Sequence, residues 1–307
     1  MVVAVIGAGA WGSALASVLS KNHKVIQYSR RKDLLPVSKN IYITNNLSDV
    51  RAAKHILLVL PAQQIRGFLK QLTDYVSDEC KIIICSKGLE LETGMLLSEV
   101  VEEAFPKNKI AVLSGPNFAK EIQSGLPATS SLAAKDQAIT DQIIMDLNFE
   151  NIKLIPTDEV IAVQIFGALK NVLAILCGFA QGLSLGENAR AALITKGIQE
   201  ITMLSEEYSK KEVIIENPGC IGDIILTCTS ETSRNTKFGM NFAKKYDRNN
   251  IDNAENHSTV EGMFTAQALD KLKLDNFPLL KFSSQLMLGK FDKNPSVAEN
   301  FKNILFS

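Results

Sequence analysis

Hydrophobic and polar residues are arranged differently in the two halves of this 307-residue chain. In the first half, short apolar runs alternate with amphipathic segments, which predicts buried parallel strands joined by helices. The predicted strands are Val2–Ile6, Lys24–Tyr28, Ile56–Leu60, Lys81–Cys85, Ile110–Leu113 and Asn151–Ile155. From Thr157 onward, helical periodicity dominates. The pattern therefore predicts an α/β domain over residues 1–156, followed by an all-α domain over residues 157–307.

The most apolar segment of the chain is Thr157–Leu185. Thr157 and the two acidic residues after it predict a helix N-cap and an acidic first turn. A helix that is apolar all round is either a membrane span or the buried core of a domain. Lys170 and Asn171 lie in its middle, where a span tolerates charge badly. We therefore expect a buried helix that carries a lysine for chemistry, and no membrane span.

A glycine-rich turn follows the first strand directly, with the sequence Gly7-Ala8-Gly9-Ala10-Trp11-Gly12. A GxGxxG motif between a strand and a helix is typical of a dinucleotide site. Gly7 permits the tight turn, Gly9 lets the backbone approach a pyrophosphate, and Gly12 lets the helix pack on the strand. The alternative is an ordinary glycine turn. The position of the motif favours a Rossmann domain that binds NAD or NADP.

The end of the second strand indicates which cofactor is used. A site for NAD alone places Asp or Glu there to bind the ribose 2′-hydroxyl. This chain has Ser29-Arg30-Arg31 instead. Guanidinium groups suit a 2′-phosphate better, although a solvated basic turn is the alternative. We expect NADP to be preferred, with use of NAD also open.

Two further strand tips carry candidate site residues, because ligands of open α/β sheets bind beyond the carboxyl ends of the strands. Lys87 lies at one tip, before a glycine, and suits an anionic or carbonyl substrate. As a lone lysine it could instead be a surface charge. The next tip is followed by Gly115-Pro116-Asn117-Phe118-Ala119. We expect Asn117 to cap the short helix that follows.

The second half contains polar residues that do not indicate a function one at a time but indicate a catalytic site as a group. Asp223 begins a predicted helix, and Ser233-Arg234-Asn235 follows that helix. Alone, Asp223 could be a helix-start charge and Arg234 a rim residue. Together with Lys170, they supply an acid or base, a carboxylate to orient it, and a planar group that binds anions.

Composition excludes several classes of function. Lysines and arginines number 33 and match 33 acidic residues, so no overall charge favours nucleic acid or an anionic membrane. The five cysteines lack CxxC spacing and there are only three histidines, so we expect no metal site. The N-terminus has no basic leader, which favours a cytoplasmic protein.

These motifs resemble NAD(P)-dependent glycerol-3-phosphate dehydrogenases of the bacterial type, over nearly the whole chain. They occur in the order of that family: Gly7–Gly12 with Trp11, Ser86-Lys87-Gly88, Gly115-Pro116-x-Phe118-Ala119, Ala168-Leu169-Lys170-Asn171, Asn188–Thr195, Gly222-Asp223, Leu226-Thr227-Cys228 and Ser233-Arg234-Asn235. The chain departs from the family in a short segment from Lys32 to Asn46, and in Thr236, where the family usually repeats arginine.

The resemblance implies a cytoplasmic homodimer that reduces dihydroxyacetone phosphate to sn-glycerol 3-phosphate for glycerophospholipid synthesis. It implies catalytic roles for Lys170 as acid/base, Lys87 and Asp223. The implied substrate-binding residues are Lys87, Gly115, Asn117, Lys170, Asp223, Ser233, Arg234 and Asn235. The implied cofactor-binding residues are Gly7, Gly9, Ala10, Trp11, Gly12, Arg30, Arg31, Lys87, Ala119, Arg234 and Glu261.

Two other interpretations remain open at this point. Other Rossmann proteins with a helical second domain reduce 2-oxo or 3-oxo acids, and they also use a lysine on the helix that joins the domains. A non-catalytic NADP-binding sensor could keep the fold without turnover. The Ser233-Arg234-Asn235 element favours a phosphorylated triose, and the presence of Lys87, Lys170 and Asp223 disfavours a sensor.

Overall fold

A computed structural model describes residues 1–31, 33–246, 260–290 and 297–306. The chain forms two compact units and passes between them more than once. The first unit contains Met1–Lys87, Leu96–Gln164 and Asn217–Gly219. The second contains Gly88–Met95, Ile165–Glu216 and Cys220–Ser307. The functional division that we predict after residue 156 stays a prediction.

The first unit is built on a sheet of eight strands within the described residues, in the order β3-β2-β1-β4-β5-β6-β7-β8. All neighbouring strands are parallel except β6 and β7. The strands are β1 Val2–Ile6, β2 Lys24–Tyr28, β3 Ile41–Thr44, β4 His55–Leu58, β5 Lys81–Ile84, β6 Ile110–Ser114, β7 Ala128–Ala133 and β8 Ile152–Thr157. The predicted fold class, a Rossmann domain followed by an all-α domain, is confirmed.

Helices flank the sheet and make up most of the second unit. Those between the strands are α1 Ala10–Leu19, α2 Ile65–Leu72, α3 Leu97–Ala104, α4 Ala119–Gln123 and α5 Gln137–Leu147. Those that follow are α6 Val160–Gly182, α7 Gly186–Ser209, α8 Asp223–Thr229, α9 Arg234–Tyr246, α10 Glu261–Leu269, α11 Pro278–Met287 and α12 Val297–Phe306. A single π-helical turn, Pro218–Gly222, leads into α8.

Two strands are absent from the sequence prediction, for different reasons. β3 has only four residues and a mixed burial pattern, so it lacks a continuous apolar run. β7 places two serines in the interior, where Ser130 and Ser131 are completely buried. Their hydroxyl oxygens accept hydrogen bonds from the Asn117 side chain at 2.7 Å and the Gly219 backbone N–H at 2.9 Å. Because tertiary partners satisfy these serines, local hydrophobicity could not reveal the strand.

The long apolar helix α6 is buried, as predicted. The predicted N-cap at Thr157 and the acidic first turn are wrong. The helix begins at Val160, because Thr157 ends β8 and its hydroxyl accepts the Glu159 N–H at 3.2 Å. Among the described residues, α6 alone is long and apolar enough to cross a membrane. Most of this helix is buried inside the protein. Such burial is typical of the core helix of a folded domain.

One buried carboxylate links two helices of the second unit. Glu200 on α7 accepts the backbone N–H of Leu279 at 2.9 Å and that of Leu280 at 3.0 Å. These groups lie in the first turn of α11, where backbone N–H groups lack partners within their own helix. Burial raises the pKa of Glu200, and the two backbone hydrogen bonds lower it by a smaller amount. Glu200 therefore caps α11 from a neighbouring helix.

We expect Glu200→Ala to lower the free energy of unfolding by about 3 kcal/mol, because it leaves two buried N–H groups without an acceptor. Urea denaturation measures this loss. Glu207→Ala is the matched control, since Glu207 is an exposed glutamate on the same helix, and we expect it to change stability by less than about 0.5 kcal/mol. Equal losses in both variants would contradict the capping role.

The raised pKa of Glu200 also predicts the sign of a pH effect. A carboxyl group whose pKa is higher in the folded state contributes proton-linked stability below its ordinary value of 4.5. That contribution is lost as pH rises through the raised pKa. We expect this fall in the wild type and not in Glu200→Gln, measured by urea denaturation at a series of pH values.

Candidate active site

The glycine-rich turn of the first unit has the backbone shape that its sequence predicts. Gly7 has φ +120°, and a Cβ there would lie 2.5 Å from the Val59 carbonyl oxygen. A Cβ at Gly12 would lie 2.2 Å from the Gly7 carbonyl oxygen, so the start of α1 presses on the turn itself. Neither position can hold a side chain without a shift of the backbone. Together these glycines fix the turn between β1 and α1.

The outer side of the same turn fits a pyrophosphate. Gly9 is the N-cap of α1, and no side chain caps this helix end. A Cβ built at Gly9 would find nothing within 4 Å. Free backbone N–H groups and open space at a helix N-terminus favour an anion. Ala10 begins the helix, and Trp11 packs against the hydrophobic core of the unit and anchors the turn.

Arg31 reaches the glycine-rich turn, and Arg30 reaches the short helical turn Ala62–Gln64 that precedes α2. Arg31 donates from its guanidinium to the Ala8 carbonyl oxygen at 2.7 Å. Arg30 donates to the Gln64 side-chain oxygen at 3.1 Å. The Ser29 hydroxyl accepts the Arg31 backbone N–H at 3.1 Å, which shapes the bend after β2. The structure therefore brings Arg31 together with the glycine-rich turn.

The remaining predicted residues of the first unit gather around the end of β6. The Lys87 ammonium donates to the Gly115 carbonyl oxygen at 3.2 Å. A Cβ at Gly115 would lie 2.8 Å from the Ser130 Cα, so this segment lies directly on β7. Ala119, the first residue of α4, packs against the core of the unit.

The prediction that Asn117 caps α4 is wrong. Phe118 is the N-cap residue, and no side chain caps that helix. The Asn117 amide donates to Ser130 instead, so a hydrogen bond to β7 outweighs local capping. Within the described residues, the Asn117 side-chain oxygen is buried without a partner. That oxygen is available to a ligand.

The second unit holds the predicted lysine in a buried polar cluster. The Lys170 ammonium forms an ion pair with Asp223 and donates to the Thr227 hydroxyl at 3.0 Å. Thr227 also donates to the Asp223 backbone carbonyl at 2.7 Å, one helical turn earlier. The side chain of Lys170 is 10% exposed and that of Asp223 is 1% exposed. A carboxylate and a hydroxyl thus fix the direction of a nearly buried ammonium.

The N-terminus of α9 completes this cluster. Ser233 caps α9, because its hydroxyl accepts the Thr236 N–H at 3.3 Å. Arg234 is exposed in the first turn, where the helix itself favours anions. Asn235 donates to the Asn171 side-chain oxygen at 3.0 Å, and its own side-chain oxygen is buried without a partner among the described residues. An exposed guanidinium and an open acceptor suit a phosphorylated hydroxy compound.

Sequence reasoning assigned no role to three residues of this cluster. Thr227 lies four residues after Asp223 on one helix face, which is a signal that the spacing contained. Asn171 adjoins Lys170, but only the fold shows that it meets Asn235. Thr236 donates to the Thr227 backbone carbonyl at 3.1 Å. Thr236 therefore ties α9 to α8.

Glycines let α6 and α9 approach closely enough to form the cluster. A Cβ at Gly178 on α6 would lie 2.0 Å from the Thr236 carbonyl oxygen. A Cβ at Gly239 on α9 would lie 2.0 Å from the Ile175 carbonyl oxygen. Beside them, a Cβ at Gly262 would lie 2.9 Å from the Asn171 carbonyl oxygen, so Glu261 lies at the start of a helix packed on α6.

Comparisons with known proteins show which family the chain belongs to. Residues 2–37 and 34–140 match the family described as NAD-dependent glycerol-3-phosphate dehydrogenase N-terminus, and residues 159–294 match the C-terminus of that family. The chain is similar to glycerol-3-phosphate dehydrogenase (NAD(P)+) of Zymomonas mobilis, with 36% identity over 94% of this chain and 89% of that protein. For the enzyme of the same name from Parvibaculum lavamentivorans, the identity is 33% over 96% and 95% of the two chains.

A solved structure of similar fold carries the same enzyme name. The crystal structure of glycerol-3-phosphate dehydrogenase from Coxiella burnetii has a TM-score of 0.85 and 28% sequence identity, and it covers 100% of this chain and 99% of that one.

We expect Gly239→Ala to lower the free energy of unfolding by at least about 2 kcal/mol, because the added methyl group overlaps the α6 backbone. Gly67→Ala is the matched control, since Gly67 is helical and exposed, and a Cβ there would meet no atom within 4 Å. That change should raise stability by about 0.5–1 kcal/mol through helix propensity. Thermal and urea unfolding of both variants measure the difference. Stabilisation by both alanines would refute the close α6–α9 packing.

Proposed function

The chain belongs to the NAD-dependent glycerol-3-phosphate dehydrogenase family, and we propose that its chemistry is carried by Lys170, Lys87 and Asp223. The reaction is the reversible reduction of dihydroxyacetone phosphate to glycerol 3-phosphate with NADH or NADPH. The observation that supports our assignment is the nearly buried ammonium of Lys170, held by the Asp223 carboxylate and the Thr227 hydroxyl.

The reduction needs a hydride at the C2 carbon and a proton on the attached oxygen. The dinucleotide, when bound, supplies the hydride. Lys170 delivers the proton to the oxygen, and Asp223 and Thr227 keep its ammonium aimed while it does so. Lys87 stabilises the negative charge that develops on that oxygen, as a preorganised cation. In the oxidative direction Lys170 accepts the proton.

The substrate phosphate binds at the N-terminus of α9. Arg234 offers a planar fork that can donate to two phosphate oxygens, and the first turn of the helix adds a favourable dipole. Asn235 and Ser233 lie beside it, and the buried side-chain oxygen of Asn235 can accept from a substrate hydroxyl. Gly115 and Asn117 contribute from the end of β6. A phosphorylated triose satisfies both the cationic and the hydrogen-bonding groups, whereas a 2-oxo acid lacks the phosphate.

The cofactor is NAD or NADP. The residues proposed to bind it are Gly7, Gly9, Ala10, Trp11, Gly12, Arg30, Arg31, Lys87, Ala119, Arg234 and Glu261. The glycine-rich turn and the N-terminus of α1 take the pyrophosphate. Arg30 and Arg31 take the 2′-phosphate, so NADPH is the preferred donor.

We also propose the roles of the two domains, the oligomeric state and the cellular location of the enzyme. Residues 1–156 bind most of the cofactor, and residues 157–307 carry the proton donor and the substrate phosphate site. The protein is a cytoplasmic homodimer, and its product supplies the backbone of glycerophospholipids. Sedimentation equilibrium that gave the mass of a single 33.6 kDa chain at micromolar concentration would refute the dimer.

We expect oxidation of NADPH with dihydroxyacetone phosphate and little turnover with a panel of 2-oxo acids.

Lys170→Ala should lower kcat by at least about a hundredfold, because the proton donor is lost. Lys170→Arg should lose as much, since arginine keeps the charge but stays protonated. The dissociation constant for NADPH, from fluorescence titration, should stay within about twofold in both. Lys244→Ala, an exposed lysine change on α9, is the control. Near-normal turnover by Lys170→Ala would remove the lysine from the mechanism.

Replacing Arg30 and Arg31 with alanine, singly and together, tests cofactor choice. We expect the double variant to raise the KM for NADPH at least about tenfold, because a charge-assisted contact to phosphate is worth roughly 1.5–3 kcal/mol. The KM for NADH should rise much less, which makes NADH the internal control. Equal increases for both cofactors would show that the arginines only support the glycine-rich turn.

A further inference from the structure

A short turn connects Lys87 to the second unit of the protein. Residues Gly88–Met95 follow Lys87 directly in the chain and belong to the second unit, whereas Lys87 belongs to the first. We call this segment the 88–95 turn. Gly88, its first residue, has φ +130°, a backbone conformation that glycine adopts readily and other residues rarely do. A single glycine therefore separates Lys87 from the body of the turn.

The 88–95 turn is closed by its own hydrogen bonds. Glu90 donates from its backbone N–H to the Met95 carbonyl at 3.0 Å, and its backbone carbonyl accepts the Gly94 N–H at 2.8 Å. The Thr93 hydroxyl donates to the Glu90 carboxylate at 2.5 Å and accepts the Met95 N–H at 3.1 Å. Glu90 is buried, with 7% of its surface exposed. Backbone and side-chain hydrogen bonds thus join both ends of the turn to each other.

A lysine from the α10–α11 connection holds this turn. The Lys271 ammonium donates to the Leu91 carbonyl at 2.6 Å and to the Glu92 carbonyl at 2.7 Å. The next residue, Leu272, lies 3.8 Å from the position of a Cβ on Gly94. One cation thus binds two consecutive carbonyl groups, which fixes both the distance and the orientation of the turn on this connection.

We propose that Lys271 is a positioning residue for Lys87. Its ammonium anchors the 88–95 turn, and the turn in its place fixes the backbone at Lys87, one glycine away. This inference rests on the proposed role of Lys87 beside the substrate oxygen. No contact between Lys271 and substrate or cofactor is involved, so its effect passes through the turn.

Because Lys271 is exposed, its removal should affect the catalytic rate more than the folding stability. Hydrogen bonds and charges at the surface contribute little to folding, because water replaces them when they are lost. A displaced catalytic group costs far more, since a misplacement of about 1 Å can lower a rate on the order of a hundredfold. Loss of the anchor should therefore lower catalysis and leave stability almost unchanged.

The test compares four variants of the full-length enzyme: Lys271→Met, Lys271→Arg, Lys87→Ala and the double variant Lys87→Ala/Lys271→Met. Lys271→Met should lower kcat/KM for dihydroxyacetone phosphate about tenfold. Lys271→Arg should restore most of it, because the guanidinium can also donate to two oxygens. Lys273→Met removes an exposed lysine two residues away and is the matched control, with an expected change below about twofold.

The double variant separates positioning from a general effect on the fold. If Lys271 acts through Lys87, its removal in the Lys87→Ala background should change kcat/KM by less than about twofold. A tenfold loss that persists in that background, or a lowered Tm for Lys271→Met, would overturn the positioning role in favour of a structural one. Full activity of Lys271→Met would also overturn it. Full activity of Lys87→Ala would instead refute the proposed role of Lys87 itself.

Discussion

The ion pair between Lys170 and Asp223 is the interaction on which the second unit depends. An ammonium on an otherwise apolar helix loses its hydration, at a cost of several kcal/mol per ion unless a partner compensates. The partner is supplied by α8, which must therefore pack so that its first turn faces the middle of α6. Thr227 adds a second acceptor from the next turn of α8 at 3.0 Å. The packing of α8 against α6 therefore also supplies the partners that the buried ammonium of Lys170 needs.

The same requirement extends to α9. Thr236 donates to the Thr227 carbonyl at 3.1 Å, so α9 is tied to α8, the helix whose Asp223 pairs with Lys170. Gly178 and Gly239 allow the backbones of α6 and α9 to come close enough for Asn235 to reach Asn171. Small residues at this crossing therefore set the spacing between Lys170 and the N-terminus of α9. Both glycines act through the distance between the two helix backbones.

Local patterns in the sequence predicted the elements that bury continuous apolar runs. The central strands, the glycine-rich turn and the burial of α6 follow from such runs and from the conformational freedom of glycine. β7 did not follow, because its buried serines bond to Asn117 and Gly219, which lie outside the strand. The capping role predicted for Asn117 failed for the same reason. Lys170 and Asp223 were identified by motif, but their pairing with Thr227 required the packing of α6 on α8.

The proposed recognition of a 2′-phosphate depends on how Arg30 and Arg31 are held and not only on their number. Arg31 uses one guanidinium nitrogen to bind the Ala8 carbonyl, so its side chain is ordered by the glycine-rich turn. An arginine has five N–H donors, and those left over can face a ligand without a further loss of side-chain entropy. Arg30 is held in a similar way by Gln64. Both arginines are thus held by other residues of the protein, which supports the proposed binding of a 2′-phosphate without a rearrangement of their side chains.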